Sequence, residues 1–266
     1  MTWLNTSVQT GFARSASEAM FPRLFPDVLW LCPSLNPAMG GARLWDFSVR
    51  QSWGVMNGFT GASWQTSFGK SALNFTGSEY VDSISNSPYR NGWAVSIWVK
   101  SSSAASDNRV AFGIGNGGVP DFGLLPNRNG TVQVYLPDVY RDSGVTSSTN
   151  WTHVVMIRGQ STSGTLVVNG RVSSANANSS AGGAINIRVG NWGNTTASSS
   201  GYQGLVDDVR LFGPWFGVQD AIDIYRIGRG NMPLRRRRRY TEQAAGGFKG
   251  YWARNNSRLI GAGNVS

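Results

Sequence analysis

The chain has 266 residues and a formal charge of +10, from 24 Lys/Arg against 14 Asp/Glu, with one His and one Cys. That length allows one large β domain or two smaller ones. The lone Cys32 excludes an intrachain disulfide, one His with one Cys argues against a zinc site, and no run approaches the roughly 18 apolar residues of a spanning helix.

In chain order, residues 1–27 form a Ser-rich N-terminal arm punctuated by Pro22 and Pro26, without the charged start and apolar stretch of a signal peptide, so none is expected. Residues 28–229 are the body. Charged residues are only 14% of the chain, and Gly, Ser, Asn and Thr clusters separate β-branched and aromatic runs, which predicts an all-β domain. In WAVSIWVK (93–100), Trp93, Val95, Ile97 and Val99 alternate with Ser96, Trp98 and Lys100, a period of two. In WTHVVMIR (151–158), Trp151, His153, Val155 and Ile157 share a face, taken as the inward one. TLVVNGRVSS (165–174) carries Asn169-Gly170 between two apolar runs, a hairpin signal because both turn positions tolerate positive φ. INIRVGN (185–191) and GLVDDVRLF (204–212) are further strands, and VQDAIDIYRIG (218–228) is a short helix with Gly228 at its C-terminal end. Residues 230–266 are a tail of different character. From residue 231 on there are eight Lys/Arg and one acidic residue, Glu242.

The body resembles a concanavalin A-like lectin/glucanase jelly roll of the laminin-G-like type. The segments that carry the resemblance run in order: LWDFSVRQSWGVMNG (44–58), ALNFTGSEYV (72–81), WAVSIWVK, WTHVVMI, LVVNGRV, IRVGN and GLVDDVRLF, the last followed by the short helix. The expected fold is therefore an all-β, two-sheet antiparallel jelly-roll sandwich with an extended N-terminal arm and a basic C-terminal tail. The resemblance implies a fold more than a function. Its members bind glycans or proteins or pack as structural modules, and some relatives are glycoside hydrolases.

Retaining glycosidases need two carboxylates about 5 Å apart. The relatives that hydrolyse glycans are similar in carrying Glu-x-Asp-x-x-Glu on one strand. Here the glutamates are Glu18, Glu79 and Glu242, far apart in sequence, so no enzyme is expected. His153 reads as a structural core residue rather than a triad base. GIGNGGVPDFG (113–123) reads as a hairpin loop, since strand-like segments flank it and no helix follows to aim its N–H groups at a phosphate. Asp207 falls in step with Leu205, Val209 and Leu211, which places a carboxylate on the core face. It is either satisfied by hydrogen bonds, with Arg210 or backbone N–H groups partnering one of the Asp207-Asp208 pair, or part of a calcium site with Asp46. No other cofactor is expected. Candidate glycan contacts are Trp98, Asn116, Trp192, Asn194 and Tyr202, with Trp215 as a further ring that could stack on a sugar. The Asn/Gly/Ser-rich segments 107–118 and 191–204 are read as rim loops.

Five consecutive arginines, Arg235, Arg236, Arg237, Arg238 and Arg239, suggest a polyanion, but Tyr240, Phe248, Tyr251 and Trp252 add apolar anchors, with Arg254 and Arg258 among them. Arginine's planar fork pairs bidentately with carboxylates, so the tail is read as an anchor for an acidic groove of another protein. A Gly-rich basic tail buries too little to order by itself and is expected to be held by a neighbouring chain. The combined expectation is a non-enzymatic bacteriophage virion protein, a capsid decoration or fibre-type component, assembled in the host cytoplasm and released by lysis. Its partners would be other capsid or tail proteins, copies of itself and a cell-surface glycan, without membrane insertion. A bacterial carbohydrate-binding module without a virion role is the alternative; nucleic-acid binding through the arginine run ranks third.

Overall fold

The computed structural model describes residue 26 and residues 28–228, apart from 34–42, 49–52, 60–63, 68–69, 84–91, 104–107, 117–118, 137–138, 159–163, 176–185 and 193–199. Both terminal segments, and every expectation placed on them, lie outside the described residues.

Sixteen strands and one helix are described: β1 (Leu29–Leu31), β2 (Arg43–Trp45), β3 (Trp53–Asn57), β4 (Trp64–Ser67), β5 (Lys70–Thr76), β6 (Tyr80–Ser83), β7 (Trp93–Ser101), β8 (Phe112–Asn116), β9 (Val119–Arg128), β10 (Thr131–Leu136), β11 (Val139–Thr146), β12 (Thr152–Arg158), β13 (Gly164–Val168), β14 (Arg171–Ala175), β15 (Asn186–Val189), β16 (Gln203–Phe212) and α1 (Val218–Gly228). They form two antiparallel sheets, the jelly-roll sandwich that the sequence predicts. The first sheet runs β14-β13-β12-β7-β16-β5-β4, with β1 also pairing β16; the second runs β11-β10-β9-β8-β15-β6-β3-β2.

Alternation builds the core. Val95, Ile97 and Val99 of β7 and Val154 and Met156 of β12 point between the sheets, where they meet Phe112, Phe122, Val134, Ile187 and Val189 of the second sheet, all buried. Each such side chain contributes roughly 1.5–3 kcal/mol on burial. Asn169 takes φ 50° and Gly170 φ 74°, as the β13–β14 turn needs. GIGNGGVPDFG forms the β8–β9 hairpin, as expected in place of a phosphate loop, with Asn116 opposite Val119.

Two face assignments are corrected. His153 is fully buried, but opposite Trp98 and on the same side as Ser96, away from the inter-sheet core. That outer face of the first sheet is covered by α1, whose Tyr225 ring stacks 5.9 Å from Trp98 and 5.8 Å from His153. Asp207 also faces outward, opposite Trp98. A bulge at Asp208, held at φ 54°, breaks the alternation, so Val209 and Leu211 point into the core while Asp207 does not. Short-side-chain Asp tolerates this left-handed conformation better than most residues.

Candidate functional site

The outer face of the second sheet is the one that no described helix covers. Register defines its composition. Opposed residues in antiparallel strands share a face, and one unbroken row crosses all eight strands: Tyr140, Tyr135, Gly123, Gly113, Arg188, Asp82, Val55 and Arg43. At ~4.8 Å per strand the row is about 34 Å long.

Local sequence explains each position. In β10, Val132, Val134 and Leu136 are buried, which turns Tyr135 outward; in β15, Ile187 and Val189 do the same for Arg188. The tyrosines and Trp192 form a strip: Tyr140 lies 5.0 Å from Tyr135, and Tyr135 lies 5.2 Å from Trp192, each pair edge to face. Trp192 lies over Gly123, where a Cβ would collide with its ring. Glycine at 123 is thus what lets the indole approach the sheet this closely. Tyr140 is 39% exposed, and Trp192 and Tyr135 are half-buried.

Three arginines on this face lie against aromatic rings. Arg128 is 3.4 Å from the Tyr140 centroid, Arg188 4.2 Å from Tyr80, and Arg43 4.4 Å from Trp53. Arg188 also donates to Asp82 through Nε at 2.6 Å and to the Trp192 carbonyl at 3.3 Å. Arg128 donates to Gln133 Oε1 at 2.9 Å, and Gln133 in turn donates to Asp142 at 3.3 Å. Flat rings beside fixed polar groups can stack a pyranose face and hydrogen-bond its hydroxyls.

The sequence-derived glycan candidates separate. Trp192 belongs to this face. Trp98 does not, which corrects the expectation: its ring packs against His153 at 4.9 Å and Tyr225 beneath α1. Tyr202 is corrected likewise. It is 2% exposed within the core, with its ring 6.2 Å from Phe75 and its hydroxyl 3.5 Å from Ser101 Oγ, so no sugar can reach it. Asn116 ends β8, with its side chain outside the described residues, as is Asn194 entirely. Trp215 is 46% exposed and packs beside Phe212 of β16, a strand of the first sheet, and Phe216. The segment 107–118 is only partly a loop, since Phe112–Asn116 is a central strand. The docking residues Arg235–Arg239, Tyr240, Phe248, Tyr251, Trp252, Arg254 and Arg258 lie outside the described residues.

Each of the three candidate calcium ligands has partners within the protein. Asp46 Oδ1 accepts from the backbone N–H of Trp30 at 2.7 Å and of Ser48 at 2.9 Å. Asp208 accepts from Trp30 Nε1 at 2.8 Å and from Arg210 Nε and Nη2 at 2.8 and 2.9 Å. The Cys32 thiol lies 3.8 Å from Asp207 Oδ1. Among the described residues, no group of three or more His, Cys, Asp or Glu is arranged to hold a metal. Glu79, the only glutamate in the body, folds back on its own turn. It accepts from the Thr76 hydroxyl at 2.7 Å and from the N–H groups of Thr76, Gly77 and Ser78. Burial pushes its carboxyl up, but these hydrogen bonds outweigh it and hold the group below its ordinary range. No described helix is long and apolar enough to cross a membrane.

Solved structures of this shape include Trypanosoma rangeli sialidase in complex with the inhibitor DANA (TM-score 0.56, 13% identity, 74% of this chain and 32% of that chain). Domain 4 of AbnA, a GH43 extracellular arabinanase from Geobacillus stearothermophilus, in complex with arabinotriose, matches at TM-score 0.55 and 15% identity, over 74% of this chain and 97% of that one. The receptor binding domain of botulinum neurotoxin mosaic serotype C/D matches at 0.53 and 16%, over 75% and 50%. The chain thus spans about a third of the sialidase chain's length and half of the neurotoxin domain's. These identities speak for the fold. They also correct the expectation that the chain is not an enzyme: its structural neighbours are parts of a sialidase and an arabinanase, at low identity. The missing Glu-x-Asp-x-x-Glu spacing tested one catalytic arrangement, and fold-sharing proteins place their chemistry on different residues. No curated protein sequence matched the chain. The family model for Laminin_G_3 matches residues 75–216, more than half of the chain, and the protein belongs to the concanavalin A-like lectin/glucanases superfamily.

Proposed function

We propose that this protein binds glycan on the outer face of its second sheet, with Trp192, Tyr135 and Tyr140 as the stacking platform. The observation that carries the reading is the aromatic strip laid over Gly123 beside ring-backed arginines. The neighbours support it: the arabinanase domain was solved with arabinotriose and the sialidase with the inhibitor DANA and with sialic acid. In this reading Asp46, Asp207 and Asp208 hold the fold rather than calcium, and no resident cofactor takes part.

The biological setting we propose is a bacteriophage virion, with the sandwich facing outward as a decoration or fibre-type component for adhesion or particle stabilisation. The basic, aromatic-bearing segment from Arg235 to Arg258 would attach it to other capsid or tail proteins. One observation favours a second setting, a bacterial carbohydrate-binding module without a virion role: the match covers 97% of the arabinanase domain solved with arabinotriose. Glycan-array binding of the wild-type protein and of Trp192→Ala tests the site. Co-sedimentation with particles from the native source separates the two settings.

A further inference from the structure

The ligand face is asymmetric in charge in a way that names its ligand class. Of its three ring-backed arginines, only the central one, Arg188, is matched by a carboxylate, that of Asp82. Arg43 and Arg128, toward opposite margins of the sheet, make no ion pair with any described carboxylate. Arg128 gives one N–H of Nη1 to Gln133 Oε1 and its Nε is buried, so the donors it keeps for a ligand are the remaining N–H groups of its two terminal nitrogens. A ring against the flat side of a guanidinium covers its π-face and holds its plane, leaving for a ligand the in-plane N–H groups that are neither buried nor bonded within the protein. Those groups form the fork that takes a carboxylate bidentately.

We infer that this face takes an acidic polysaccharide, a chain bearing repeated carboxylates that runs across the strands from β2 to β11. This rests on the glycan reading above and specifies its ligand. The chain's sugar rings stack on Trp192, Tyr135 and Tyr140, and two of its carboxylates engage Arg43 and Arg128. Arg43 and Tyr140, the ring under Arg128, are the two ends of the row of about 34 Å, so a single acidic sugar engages one arginine and an extended chain engages both. Linking the two contacts raises avidity for the polymer far above that for the monomer.

The test uses the full-length protein and four probes: oligogalacturonate long enough to span the face, the same oligomer as its neutral methyl ester, monomeric galacturonate, and single-stranded DNA. The expected order is acidic oligomer well ahead of ester and monomer, with DNA weaker than the acidic oligomer. Arg43→Ala and Arg128→Ala should each weaken acidic-oligomer binding about tenfold or more, a much larger loss than either causes in ester binding, and reduce the salt dependence. Arg128→Lys keeps the charge but loses the fork, and should recover only part of the loss. Unchanged thermal unfolding of Arg43→Ala, an exposed position, separates lost contact from lost fold. Equal binding of acid and ester overturns the acidic-ligand inference while leaving the glycan reading standing. Binding of neither overturns both. DNA binding stronger than that of the acidic oligomer, with the same loss in the arginine variants, overturns the saccharide in favour of nucleic acid.

Discussion

The indole of Trp192 rests on Gly123, two strands away from β15, in the space a Cβ would occupy. This contact fixes the ring at the centre of the proposed platform, so the pair can be tested from the glycine side. Gly123→Ala should lift the ring and weaken glycan binding by about fivefold to tenfold, comparable to loss of one stacking contact. A Cβ at 123 would overlap the indole, so the ring must shift and the stability cost should be about 1–3 kcal/mol. Titration calorimetry reads the first effect and urea unfolding the second.

Trp98 should behave in the opposite way. Its ring is packed between β7 and α1 against His153 and Tyr225. Trp98→Ala should cost about 3 kcal/mol of stability and leave glycan affinity unchanged at temperatures where the variant is folded.

The Asp208–Arg210 pair is buried, with side chains 1% and 2% exposed. Arg210 also lies 4.6 Å from the Trp30 ring. Removing one partner strands the other charge, so Arg210→Ala should destabilise by about 3–5 kcal/mol. Replacing both partners by apolar residues of similar volume should cost less than that single change. Denaturant midpoints of the single and double variants decide it.

Glu79 gives a pH signature. Its folded-state carboxyl is held below the unfolded value by the hydrogen bonds of its turn, acting against burial. The unfolded state therefore binds the proton more readily. The stabilisation is fully present above the unfolded value and is lost as pH falls through the folded one. Glu79→Gln should lower Tm most at neutral pH, and the gap to wild type should narrow on acidification below the carboxylate range. A gap independent of pH would contradict this.

Much of the sandwich was legible in sequence because alternation survives wherever one face is core and the other is not. The β13–β14 hairpin came from Asn169-Gly170 alone, and the outward place of Arg188 follows from Ile187 and Val189 flanking it. The face of His153 was not legible. β12 is buried on both sides, between the opposite sheet and α1, so a period of two marks two faces without saying which meets the other sheet. Asp207 was misplaced because a bulge shifts the alternation by one residue, and Asp208 gives no local signal of it. Tyr135 and Tyr140 were missed as site residues although TVQVYL alternates cleanly. What makes them a site is their register beside Gly123 and Trp192, and register between distant strands is not written in either strand.

The tail makes a separate prediction. Deleting residues 231–266 should abolish co-sedimentation with particles and leave glycan binding by the sandwich intact. Loss of glycan binding in that deletion would place the tail in the ligand site.

The most direct test of the central claim is glycan affinity measured side by side for wild type, Tyr140→Ala, Trp192→Ala and Trp98→Ala, each confirmed folded by near-ultraviolet circular dichroism. Binding should fall about tenfold in the first two variants and stay at the wild-type level in Trp98→Ala. Wild-type affinity in Tyr140→Ala and Trp192→Ala together, with loss confined to Trp98→Ala, would contradict the assignment of the ligand face to the second sheet.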